Sequence, residues 1–272
     1  MTSDWNLDAI PFESIEPAQI RQEEELFYLV TAASFIESGA ALYTANLATY
    51  FDGDEDMVAW LKSLWEVEEL RHGRVLCAYV RHVWPEFAWD AAYAHFLADY
   101  SRLCTMAELE RSRSLELVAR CVVEMGTATY YRALAAQSAE PVLAGIAGRI
   151  SAQEVGHYRH FYGQFRKYRA LEATPRRDVL AALGRRLAAV GDEDAHLALW
   201  HAFVAREGAH AADAKAYRAL ARRIGVTLRQ QYPADLAAKM LLKPLDLPAW
   251  LGHALVPPLA GALYLALPAA GR

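Results

Sequence analysis

Glu69 and His72 stand three residues apart in "LWEVEELRHG" (64–73), where Trp65, Val67, Leu70, Val75 and Leu76 otherwise read as a helix with a buried face. A carboxylate and an imidazole are costly to bury there unless they are paired or bind a metal. Residues i and i+3 share a helix face, so one such pair can hold one cation. The pair recurs as Glu154 and His157 in "AQEVGH". Each pair has a lone glutamate upstream. Glu37, in "AASFIESGAAL", lies 32 residues before Glu69, and Glu124, in "ARCVVEMGTAT", lies 30 residues before Glu154.

The elements that must position these six residues can be derived from their spacing. In an antiparallel helical hairpin, residues at one height are equidistant from the turn. The midpoint between Glu37 and the 69/72 pair falls near residue 54, inside "FDGDED", and that between Glu124 and the 154/157 pair falls near residue 140, inside "SAEP". Both stretches are turn chemistry. Each hairpin is therefore expected to carry three ligands at one level, with four carboxylates balancing two divalent cations in the centre of a four-helix bundle. Hard oxygen donors with one imidazole per ion suit iron or manganese. The competing reading is a set of satisfied core salt bridges. Two further E-x-x-H matches, Glu193/His196 and Glu207/His210, have no lone glutamate in an apolar face and read as solvated helix surface.

Apolar periodicity near 3.6 runs through the chain, without alternating β-branched runs, so the expected class is all-α. An arm (1–16) precedes predicted helices at 17–50, 54–84, 89–103, 107–137, 141–170, 177–190 and 193–231. The bundle is placed at 17–172, with additional C-terminal helices and an apolar tail over 173–272. With 54% hydrophobic and 22% charged residues, the chain can bury a substantial core. A net charge of −5 argues against general nucleic-acid binding. Cys77, Cys104 and Cys121 lack a paired spacing and read as reduced thiols of a cytoplasmic protein. The opening "MTSDWNLDAI" is acidic and lacks the pattern of a signal peptide.

"WEVEELRHGRVL" (65–76) resembles the W-x-x-E-E-x-R-H-G-x-x-L stretch of the soluble acyl-carrier-protein desaturases, within the ferritin-like di-iron superfamily; Trp65, Glu68, Glu69, Arg71, His72 and Gly73 match. Glu124-Met125-Gly126-Thr127 is similar to their E-x-x-T. The resemblance implies that Glu37, Glu69, His72, Glu124, Glu154 and His157 ligate two iron ions, and that Thr127 helps handle dioxygen or protons. It implies an O2-dependent desaturase, hydroxylase or N-oxygenase acting on an apolar small molecule or a carrier-bound acyl group. Bacterioferritins and rubrerythrins share the ligand pattern, so iron oxidation, storage or peroxide detoxification is the alternative. The desaturase D-E-x-R-H is here Gln153-Glu154-Val155-Gly156-His157, so Gln153 lacks the charge that would orient an opposing histidine. Residues 173–272 carry no motif that aligns. No G-x-G-x-x-G in strand–helix context and no cysteine set for an iron–sulfur cluster occur, so a separate ferredoxin or reductase is the expected electron donor.

Other residues carry two readings each. Tyr131, seven residues after Glu124, is a redox-active tyrosine or a core residue with a satisfied hydroxyl. Glu68 reaches the opposite hairpin's histidine or forms a surface ion pair. Arg120 pairs with a ligand carboxylate or serves as a solvated or interhelical cation. His160 reads as a polar neighbour of His157. From Arg159 to Arg186 there are eight basic and two acidic residues, which form solvated faces or a docking patch for a carrier protein. The tail 247–271 has no charge beyond a protonated His253, and Pro257-Pro258 is expected to break it into pieces too short to span a bilayer. It caps the bundle, forms a homodimer contact, or attaches to a membrane surface with Lys239 and Lys243 at the headgroups.

Overall fold

The computed structural model describes residues 5–189, 194–208 and 213–267. The protein is all-α, 84% helix with no strand among the described residues. The chain folds into two compact units that interleave along the sequence. The first is built from residues 1–108, 140–143 and 191–224, the second from 109–139, 144–190 and 225–272.

In the first unit, α2 (Glu24–Ser38) is buried on nearly every side. It lies antiparallel to α5 (Glu66–Val83). Arg21 donates to the Val83 carbonyl near one end of the pair, at 2.5 Å, and Glu37 meets His72 near the other. The opposite side of α2 is covered by α10 (Asp194–Glu207). There the Tyr28 hydroxyl donates to Glu207 at 3.0 Å, and the Arg206 guanidinium sits 4.2 Å from the Phe27 ring centre. α6 (Trp89–Leu103) adds an indole hydrogen bond from Trp89 to Ser34 at 2.8 Å.

The predicted helix over 17–50 is three segments: α1 (Pro17–Ile20), α2 and α3 (Ala40–Tyr50). The break between the last two is Gly39, where a Cβ would lie 2.9 Å from the Tyr100 ring. A bare backbone there lets the aromatic ring approach. The predicted helix over 54–84 is also divided. α4 (Glu55–Trp60) is followed by a π-helical turn, Leu61–Trp65, and then by α5. The wider turn holds an extra residue and so rotates α5 by about 100° relative to an unbroken helix. That rotation sets the face on which Glu69 and His72 emerge. The turn expected near residue 54 is present: Gly53 has φ +86°, and the Asp54 carboxylate caps α4 by accepting from Met57 N–H at 3.2 Å.

The second unit holds the two long uninterrupted helices, α7 (Arg113–Gln137) and α8 (Pro141–Glu172), whose first residues 141–143 belong to the other unit. They run antiparallel: Ser151 donates to the Ala128 carbonyl at 2.8 Å, and at the far end the Glu172 carboxylate accepts from Arg113 and Ser114 N–H at 3.1 and 3.0 Å. The last residue of α8 thus caps the first turn of α7. At the start of α8, Glu140 accepts from Val142 and Leu143 N–H at 2.8 and 2.7 Å, and Pro141 has no donor to lose. α9 (Arg176–Ala189) and α12 (Ala234–Leu242) pack on α7.

The predicted helix over 193–231 is two helices, α10 and α11 (Ala214–Gln230); Gly208, with φ +82°, ends the first. The expectation that Pro257-Pro258 breaks the tail is corrected, because α13 (Ala249–Ala266) runs through both prolines. Proline's φ fits a helix, and the carbonyls that lose their donors belong to His253 and Ala254, both exposed and open to solvent. The loss is therefore a local one and leaves the helix continuous.

Candidate functional site

Each unit closes one triad of the same composition. In the first, α2 supplies Glu37 and α5 supplies Glu69 and His72. The Nδ1 atom of His72 lies 3.6 Å from Oε2 of Glu37 and 3.6 Å from Oε2 of Glu69. In the second, α7 supplies Glu124 and α8 supplies Glu154 and His157. Here Nδ1 of His157 lies 3.5 Å from Glu124 and 3.4 Å from Glu154. Within each triad one donor atom from every residue lies within 4.8 Å of the others, and all three side chains are buried.

These distances fit metal ligands. At 3.4–3.6 Å the imidazole nitrogen is too far from the carboxylate oxygens for a good hydrogen bond. Ligands bound at about 2.1 Å around one ion lie about 3–3.5 Å apart when adjacent, close to what both triads show. Four buried carboxylates, 1–6% exposed, also favour a cation. The donor set of carboxylate oxygen and imidazole nitrogen fits iron or manganese. The buried clusters could therefore hold metal ions.

The surroundings of the triads differ. In the first unit the indole of Trp5, from the N-terminal arm, stacks on the His72 ring with centres 6.5 Å apart and planes 22° apart. Trp65 and Glu68 are buried beside the ligand segment. The surface ion pair considered for Glu68 is thereby overturned, since the side chain lies in the interior at 5% exposure. Gly73, next after His72, packs directly against α2: a Cβ would lie 2.7 Å from Ser38 N and 2.9 Å from Ser38 Cα.

In the second unit Thr127, one turn after Glu124, donates its hydroxyl to Oε2 of Glu154 at 3.1 Å. The same hydroxyl reaches the carbonyls of Val123 and Glu124, at 3.3 and 3.2 Å, so it back-bonds and touches a triad carboxylate at once. Gln153 and Tyr131 are buried, with the Tyr130 ring 5.2 Å from that of Tyr131. The solvated reading of Arg120 fails, because its guanidinium is buried and lies 2.8 Å from Glu116. Burial pushes His160 down to about 4, with the neighbouring His157 acting in the same direction. Burial, reinforced by the charge of Glu124, pushes the Cys121 thiol well above its ordinary range.

Three features escaped the sequence reading: Trp5 over His72, the π turn before Glu69, and the buried Glu116–Arg120 pair. Only the last had a local signal, an acid and a base four residues apart on the face that carries Glu124. Of the two weaker E-x-x-H matches, Glu193 and His210 lie outside the described residues. His196 hydrogen-bonds Tyr217 at 2.9 Å, and Glu207 accepts from Tyr28. No protein-family model matches the chain, and no curated protein matches it.

Proposed function

We propose that each triad binds one divalent ion and that together they form the di-iron site of a ferritin-like four-helix bundle whose helices are α2, α5, α7 and α8. The protein is then an O2-activating oxidoreductase of the desaturase, hydroxylase or N-oxygenase type. It acts on an apolar or acyl-type substrate and draws electrons from a separate ferredoxin or reductase. The observation that carries this reading is the repetition of one buried Glu plus Glu-x-x-His triad, with imidazole-to-carboxylate separations of 3.4–3.6 Å in both units. The Trp-x-x-Glu-Glu-x-Arg-His-Gly run and the Glu-x-x-Thr run favour oxygen activation over storage.

When bound, a pair of ferrous ions supplies the reducing electrons for dioxygen and the oxidising power for an unreactive C–H bond or an amine nitrogen. The chain's residues do the rest. Glu37, Glu69, Glu124 and Glu154 bring four negative charges to hold the ions, and His72 and His157 present Nδ1 to them. Thr127 holds a proton at Oγ1 against the ligand oxygen of Glu154, where it can be given up or exchanged. Trp5 covers the His72 ring and limits water on that side.

The test is anaerobic loading with ferrous iron, then addition of O2 and candidate apolar or acyl substrates. Two irons per chain and substrate-dependent O2 consumption are expected. A closed cage of about 24 subunits that mineralises iron would replace this reading with storage, and less than about one iron per chain after loading would remove the di-metal reading.

A further inference from the structure

The two units differ in charge. The first carries 11 basic and 25 acidic residues, the second 17 basic and 8 acidic. The basic unit also carries the most exposed apolar element among the described residues. α13 packs on α12 along one side, yet only Ala260 of its 18 residues is buried. Trp250 and Leu265 are 72% and 73% exposed, and no Asp, Glu, Lys or Arg occurs from 247 to 267. A helix that is apolar all round belongs in a core or in lipid, and this one is not in the core.

Its ends are built alike. Trp250 stands near the start and Tyr264 near the finish. The Arg229 guanidinium lies 4.2 Å from the Tyr264 ring centre and donates to the Leu267 carbonyl at 3.2 Å. Ahead of the start, Arg176 donates to the Asp246 carbonyl at 2.5 Å and Arg169 to the Pro244 carbonyl at 3.4 Å, with Lys243 just before them in the chain of α12 and α13. A charge-free middle with an aromatic ring and cations at each end is the layout of a helix at a lipid–water boundary.

We propose that α13 docks the protein on an anionic lipid surface, lying in the plane of the headgroups. The basic unit supplies the attraction and the outer face of α13 the insertion. The carbonyls freed by Pro257 and Pro258 keep the helix at the surface, because they would be left without donors in the hydrocarbon core. This rests on α13 and its surroundings and does not depend on the metal reading.

The test is flotation of the full chain with phosphatidylcholine vesicles with and without about 30% phosphatidylglycerol. The parent protein is expected to float with the anionic vesicles. Trp250→Glu combined with Leu265→Glu, both at exposed sites, should lower the bound fraction by more than about tenfold. Arg176→Gln with Lys243→Gln should weaken binding to anionic vesicles, and Trp250→Phe should reduce quenching of the protein's fluorescence by brominated lipid. A parent that stays in the aqueous fraction with both compositions overturns the proposal. So does a double-glutamate variant that floats like the parent, or a parent dimer that this variant converts to monomer while neither form floats, which would make the face a subunit contact.

Discussion

The two triads contain the same residues and are built differently. Around Glu37, Glu69 and His72 the helices are broken at Gly39 and widened at Leu61–Trp65, and the site is packed by an indole and a glycine contact. Around Glu124, Glu154 and His157 the helices run unbroken for 25 and 32 residues, and the Thr127 hydroxyl donates to the Glu154 carboxylate. One arrangement of Glu, Glu and His is thus found in two settings. Close packing marks the first, with the Trp5 indole on the His72 ring and the bare backbone of Gly73 against Ser38. In the second a hydroxyl meets a triad carboxylate, which puts an exchangeable proton beside Glu154. In the proposed function, Trp5 limits water at His72 and Thr127 manages protons.

The largest expected effect comes from the polar half. Arg120→Ala leaves Glu116 buried without its guanidinium, which costs about 3–5 kcal/mol of stability. Replacing Glu116 and Arg120 together by apolar residues of similar size should cost much less. Chemical denaturation of the two variants checks this, and equal losses would show that the cost is not that of a buried Glu116 left without Arg120.

The packing half should respond to a methyl group. Gly73→Ala forces a Cβ to within 2.7 Å of the Ser38 backbone nitrogen, and backbone cannot swing aside. A loss of about 1–3 kcal/mol is expected. Gly156, inside the second ligand pair, has nothing within 4 Å of an added Cβ, so Gly156→Ala should be neutral or stabilise by up to about 1 kcal/mol. Thermal melts of the two variants side by side would break the comparison if both moved in the same direction.

The smallest effect on stability belongs to Thr127→Val, which removes the hydroxyl bond to Glu154 and should cost about 1 kcal/mol. In the proposed function that hydroxyl is the group that handles protons. Thr127→Ser should therefore restore the pH dependence of substrate oxidation that Thr127→Val alters. A valine variant with an unchanged pH profile would reduce Thr127 to a back-bonding helix residue.

Legibility in the sequence divides along similar lines. Turns near residues 54 and 140 were legible because Gly53, Asp54 and Pro141 carry local conformational signals, and the triads because helical spacing is itself a geometric statement. Trp5 over His72 joins residues 67 apart in the chain, and no local pattern announces such a contact. The π turn at Leu61–Trp65 has ordinary helix-forming residues and is set by tertiary packing. Nor could periodicity show that residues 191–224 join the N-terminal unit while 225–272 join the other. The reach of α13 through two prolines is not legible locally, because proline signals a stop in a buried helix whereas an exposed helix can hydrate the carbonyls it frees.

The central claim is that the two triads bind one ion each. Metal content after anaerobic iron loading tests it most directly, measured on the parent, on Glu37→Ala/His72→Ala and on Glu124→Ala/His157→Ala. The account predicts about two irons per chain for the parent and about one for each variant, with helicity retained by circular dichroism. A parent that binds less than about one iron, or a variant that keeps the parent's full complement while still folded, would contradict it.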